Sequence, residues 1–301
     1  MDILEEIKLL FASLPSGAAR LKTIEDYYPT FVIRNTEGVG VAIEWDKEEA
    51  ISEHFANAHF FSAKMNLSGE EKNVLVFQSF REDLRNEFAC VCAQFVEPGE
   101  DGKNRFQLIN DPLSWWKRWR NLLGNTILDK APYSVLSEMM TLYRIYENDK
   151  TAVWTGAKSG THDIETSTNS YEVKSTIRRY GASITVSGQF QFHNPKPLSL
   201  FFYRMEESPY GLCINDMINN LTTIGYDEAL LEHQLYTMGY EKGASARDKK
   251  YTVLEKRLYD VNDDFPKITE ESFAGNAIPN GVIQIVYTVD LDGVAFSVIK
   301  D

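Results

Sequence analysis

The stretch from Trp154 to Thr176 constrains this chain most: Trp154-Thr155-Gly156 leads through His162-Asp163-Ile164 to Glu172-Val173-Lys174. Side chains alternate along an extended strand, so Glu172 and Lys174 share one face and Val173 takes the other. A strand carrying Asp163, a turn at Ser167–Ser170 and the Glu172 strand predict a hairpin that returns Asp163 to the side of Glu172 and Lys174. Two carboxylates and an ammonium at one sheet edge can hold a hard divalent cation through oxygens and set a positive charge beside an attacking water. The same residues also suit an exposed hairpin whose Glu172 and Lys174 face water. The surrounding chain has to separate the two readings.

At 301 residues, with 43% apolar and 25% charged side chains, the chain can bury real cores and is long enough for two domains. No run has the length of a membrane span, and the acidic start Met1-Asp2-Ile3-Leu4-Glu5-Glu6 lacks the basic end of a signal peptide. Cys90, Cys92 and Cys213 make no disulfide framework, and the first two fall in an apolar segment read as buried; a reducing, cytoplasmic setting is expected. The net charge of −13 argues against gripping nucleic acid with the whole surface but leaves room for a local basic groove. Basic residues cluster at Lys117–Arg120, at Arg178-Arg179 and between Lys242 and Arg257.

Apolar spacing predicts a helix over 2–14, strands over 30–34 and 40–45, a hairpin of 60–67 and 73–80 turned at Ser68–Glu71, and a helix over 82–96. Residues 1–108 therefore read as an α+β accessory domain, leaving 109–301 as a second domain. Trp115, Trp116 and Trp119 sit at helical spacing after Asp111-Pro112, an acidic cap with proline in the first turn. Interleaved with Lys117, Arg118 and Arg120 they could stack on bases, but packing is the expected role. A helix over 134–146 carries Glu138 near its start. Further strands are expected at 182–186, 197–205, 251–261 and 282–291, with helices at 213–222 and 226–238 and a short segment from Gln189 closed by Pro195.

From residue 134 the order is helix, acid-bearing hairpin, further strand, short helix and buried strand. This order and the run Asp163-(x8)-Glu172-Val173-Lys174 resemble the PD-(D/E)XK, or restriction-endonuclease-like, superfamily. The helix with Glu138, the loop from Trp154 to Asp163, Gln189 and the late Tyr259–Pro266 run resemble one subfamily in particular, found near bacterial restriction and phage-defence genes. The likeness covers most of 110–290. It implies an α+β or α/β fold with a helix and small mixed sheet at its core, and a Mg2+-dependent DNA endonuclease that accepts Mn2+. It also implies that Asp163, Glu172, the Val173 carbonyl and Glu138 serve the metal, that Lys174 supplies the positive charge, and that Gln189 supports the site by hydrogen bonding. A defence system further implies partner subunits or self-association. His162 stands where the family name has proline and is expected to be a satisfied loop histidine.

Arg178, Arg179 and Lys158 are candidates for phosphate contact, and Glu138 suits equally an exposed first-turn acid favoured by the helix dipole. The rival to an enzyme is a DNA-binding or assembly subunit that keeps the fold while a partner cuts. Other chemistries fall away. Gly156–Gly160 is no phosphate loop, because Ala152 and Ala157 occupy the positions that need glycine. His54 and His59 have no cysteine or second histidine pair nearby, so zinc is not expected. Lys174 and the small sheet argue against a glycosidase acid pair, and no G-x-S-x-G elbow occurs.

Overall fold

Apolar alternation in the first third and in the second half of the chain builds two separate cores. The computed structural model describes all residues except 55–56, 68, 124–129, 157–161, 188–191, 193–195, 280, 283 and 300–301, with backbone alone for 120–123. It divides into two compact units, 1–127 with Glu241–Ser245, and 128–240 with 246–301.

The first unit starts with α1 (Ile3–Ser13), whose Asp2 cap accepts the Glu5 N–H while the Glu5 side chain returns to the Asp2 N–H. Strands β1 (Gly17–Arg20), β2 (Thr30–Asn35), β3 (Gly38–Glu44), β4 (Ser52–His54), β5 (His59–Leu67) and β6 (Glu70–Ser79) form one antiparallel sheet in the order β1-β2-β3-β6-β5-β4. Helices α2 (Arg85–Val96), α3 (Lys103–Asn110) and α4 (Pro112–Leu123) follow. One sheet face, with Val32, Val41, Phe60 and Phe77, packs on Ile7, Phe11, Phe88, Phe95, Trp115 and Trp116.

This packing moves the expected boundary. Trp115 and Trp116 of α4 are buried in the first unit's core, so α4 packs there and not in the domain that follows. It also settles the tryptophans as packing residues, with Trp115 edge-on to Phe95 at 4.9 Å. Of the cysteines expected to be buried on α2, Cys92 is, whereas Cys90 is exposed; all three thiols are free.

The second unit begins with α5 (Pro132–Asn148), which carries proline in its first turn. Then come β7 (Val153–Trp154), β8 (Ile164–Glu165), β9 (Ser170–Thr176), β10 (Ser183–Val186), β11 (Leu198–Leu212), α6 (Ile214–Thr223), α7 (Glu228–Thr237), β12 (Tyr251–Asp260), β13 (Tyr287–Asp290) and β14 (Ser297–Val298). The mixed sheet has the order β14-β12-β11-β9-β8-β7, with β9 parallel to β11 and the other pairs antiparallel. β11 is apolar on both faces because both are covered. Phe201, Tyr203 and Met205 pack with α5, α6 and α7, while Leu200 and Phe202 pack with the β10–β13 ribbon. Among the described residues no helix is long and apolar enough to cross a membrane.

Candidate active site

The expected hairpin is present: β8 and β9 pair with Ile164 opposite Tyr171 and Glu165 opposite Ser170. Asp163 lies one residue before β8, not within it. Its N–H donates to the Tyr171 carbonyl (3.1 Å), and its Oδ2 accepts the Val173 N–H (2.9 Å). The carboxylate thus takes the place of the backbone acceptor that a longer β8 would have offered. In a strand the N–H and C=O of one residue point to the same side, so the Val173 carbonyl also faces the Asp163 edge.

Glu172 and Lys174 occupy the face opposite Val173, alongside Leu200 and Phe202 of β11. Lys174 Nζ lies 2.9 Å from Glu172 Oε1, the carboxylate buried and the lysine side chain 24% exposed. Spacing of two therefore did put the acid and the ammonium together, with only the lysine reaching solvent to any extent.

Glu138 is not a first-turn surface acid. Because α5 starts at Pro132, Glu138 falls in the second turn, at helical spacing from Val135 and Leu142, and is buried with them. Its Oε2 accepts the Trp154 indole N–H (2.9 Å), and its Oε1 accepts from Lys130 Nζ (2.6 Å). Lys130 donates to Asp163 Oδ1 as well (3.0 Å), so one ammonium bridges two carboxylates. Tyr240 fixes this lysine from behind, its hydroxyl donating to the Lys130 carbonyl at 2.6 Å.

Burial, followed by the charge of Asp163, pushes the Glu138 carboxyl up to about 8, and Lys130 and Trp154 draw it only part of the way back. Burial alone would lower the Lys130 pKa; the two carboxylates outweigh it and raise it.

The loop before Asp163 is built around this bridge. Trp154 is fully buried, its N–H donating to the Tyr226 hydroxyl and its carbonyl accepting from the Gln234 amide. Thr155 and Gly156 both donate to the Asp163 carbonyl. A Cβ at Gly156 would stand 2.7 Å from Glu138 Oε2 and 2.8 Å from Asp163 Oδ1, so only glycine leaves the carboxylates where they are.

The structure brings Asp163 to Glu138 through Lys130, and Glu172 to Lys174, as two ion-paired halves joined by the Asp163–Val173 hydrogen bond. The three carboxylates do not gather into one cluster within 4.8 Å. Arg178 and Arg179 are exposed in the turn after β9, which Arg204 pins by donating to the carbonyls of Arg178 and Gly181. His162 is buried with Nδ1 3.1 Å from Glu165 Oε1, as expected of a loop histidine with a partner. Gln189 and Lys158 lie outside the described residues.

Sequence reasoning missed Lys130 altogether. Its only signal was position: it sits just before the proline that starts the helix carrying Glu138.

A family profile described as "Putative PD-(D/E)XK family member (DUF4420)" matches residues 34–292. The chain belongs to this family. No curated protein and no solved structure matches it. The matched span begins well inside the first unit and takes in most of its sheet as well as the second unit. The α+β fold, with a helix against a small mixed sheet, Glu172 on β9 and Asp163 at the entry to the neighbouring β8, agrees with this membership.

Proposed function

We propose that this protein is a metal-dependent DNA endonuclease of a restriction or phage-defence system, with its active site at the β8–β9 edge. The observation that carries the reading is the Asp163 Oδ2 to Val173 N–H hydrogen bond, which holds the first acid against the strand bearing Glu172 and Lys174. The donors fit an oxygen-seeking cation. All are oxygens, one cation (the Lys130 ammonium) already sits between Asp163 and Glu138, and Gly156 keeps that space clear. Asp163, Glu138, Glu172 and the Val173 carbonyl would hold Mg2+, or Mn2+ in its place; when bound, such an ion lowers the pKa of a water and neutralises phosphate charge.

Lys174 would place its ammonium against the attacking water and the scissile phosphate, stabilising charge that grows in the transition state. Arg178 and Arg179, exposed just beyond Lys174 on the same strand exit, suit contacts to flanking phosphates. With a net charge of −13, DNA would be met through this limited basic patch or within a complex. The defence setting and any partner subunits rest on the resemblance to relatives found beside such genes.

One observation favours a second reading, a DNA-binding or assembly subunit that retains the fold. Lys130 is ion-paired with Glu138 and Asp163, and Lys174 with Glu172, so each carboxylate has a counter-charge from the chain itself. Plasmid cleavage with Mg2+ or Mn2+ by wild type and by Lys174→Ala, with and without the products of neighbouring genes, separates the two.

A further inference from the structure

A second constellation lies in the first unit. Strands β4 and β5 pair so that His54 stands directly opposite His59. The two imidazoles stack with centroids 3.9 Å apart and planes 12° apart. The segment Glu241–Ser245, which belongs to this unit, brings a carboxylate to both rings. Glu241 Oε1 lies 2.9 Å from His54 Nε2, and Oε2 lies 3.8 Å from His59 Nε2. Ser52 donates its hydroxyl to Glu241 Oε2 (2.5 Å) and lies 2.8 Å from His59 Nε2.

We propose that His54, His59 and Glu241 form a binding site for a divalent transition ion of the zinc class. Spacing alone argued against zinc because no cysteine or second histidine pair lies near His54 and His59; folding supplies a third donor 187 residues beyond His54. One ring nitrogen from each histidine and a carboxylate oxygen all lie within 4.8 Å of one another, and turning the rings out of their stack would aim both nitrogens at one ion. Two imidazole nitrogens and one carboxylate make a set that Zn2+ and Co2+ accept, with a water in the remaining position. Mg2+ prefers oxygens alone and would not compete well.

The backbone presents these donors without the ion's help. Ser52 N–H donates to the Gly243 carbonyl (3.3 Å), and Ser245 N–H donates to Glu53 Oε1 (2.6 Å). Gly243 has a φ of +90°, and its missing Cβ allows contact with the Ala50 carbonyl that any side chain would block. The three side chains are 36%, 27% and 23% exposed (His54, His59, Glu241), so an ion can enter from solvent. Burial, and then His54, hold the His59 pKa down to about 4, which keeps that ring neutral at pH 7. Ser52 is placed to keep its hydrogen bond to the carboxylate oxygen that coordination leaves free.

The test uses the full chain carrying Asp163→Asn and Glu172→Gln, so that the β8–β9 site does not contribute, stripped with chelator and titrated with Co2+. Visible absorption bands saturating at about one Co2+ per chain, displaced by Zn2+ and untouched by millimolar Mg2+, are the expected result. His59→Ala should weaken binding roughly a hundredfold. Glu241→Gln, which keeps the shape and a hydrogen-bonding amide, should weaken it roughly tenfold or more, covering the case in which the alanine variant misfolds. Absence of the bands in the parent chain, or bands that survive both His59→Ala and Glu241→Gln, would overturn the proposal and leave the cluster as a hydrogen-bonded clasp.

Discussion

Asp163 is tied to Val173, carboxylate to backbone N–H at 2.9 Å, and that single bond decides how the site can be probed. With Asp163 almost fully buried, Asp163→Ala would leave a buried N–H without an acceptor and Lys130 with one partner fewer. The variant should lose about 1–3 kcal/mol of stability. Asp163→Asn keeps an acceptor oxygen and should melt well above the alanine variant. Thermal melts of the three proteins check this; equal melting of the alanine and asparagine variants would remove the hydrogen bond from the account.

Lys130 makes a separate prediction. Lys130→Met should destabilise the metal-free protein by about 1–3 kcal/mol, because the buried Asp163 loses its counter-charge and Glu138 loses a hydrogen-bond donor. Millimolar Mn2+ should then raise the melting temperature of Lys130→Met by more than it raises that of wild type, the ion restoring the lost positive charge by mass action. An identical Mn2+ shift in both proteins would show that the lysine and the ion do not compete for the same carboxylates.

The pH dependence follows from Glu138, pushed up to about 8 by burial first and by Asp163 second. A carboxyl near 4.5 when unfolded and near 8 when folded makes the native state bind more protons between those values. Stability from this group is therefore greatest at the acid end of that window and falls as pH rises through about 8. Glu138→Gln should abolish that part of the slope in denaturant titrations run from pH 5 to 9. A slope that survives the substitution would assign it elsewhere.

Gly156 carries a steric prediction. Gly156→Ala would drive a methyl into the Glu138 and Asp163 oxygens at under 3 Å. Cleavage should fall at least about tenfold, since displacing positioned groups is costly to rate, while far-ultraviolet circular dichroism stays native. Full activity in this variant would mean that these two carboxylates do not take part together.

How much of this the sequence disclosed depends on whether the signal was local. The Glu172–Lys174 pairing was legible because strand periodicity alone puts residues two apart on one face. The hairpin was legible because polar turn residues separate two short β-prone runs. Glu138 was half legible: its spacing from Val135 and Leu142 marks an inward position, but the helix start was placed two residues late, which made it look like a first-turn acid. Lys130 and Glu241 were not legible at all. Each acts through partners brought together by tertiary packing, and neither lies in a periodic pattern with the groups it meets. β11 was expected to end at Met205 but runs to Leu212, because Glu206 and Glu207 still pair with Thr252 and Tyr251 of β12 and Leu212 returns to Tyr251 after an irregularity in register.

The measurement that bears most directly on the central claim is conversion of supercoiled plasmid by the purified protein, supplied with the products of its neighbouring genes. Wild type should cut with Mg2+ and with Mn2+ and be silent in chelator. Lys174→Ala should lose about a hundredfold or more of the rate while its far-ultraviolet circular dichroism stays native, the buried Glu172 carboxylate losing its ammonium partner at a cost in melting temperature only. An inert wild type with both metals, or a Lys174→Ala protein that cuts as fast as wild type, would contradict the account.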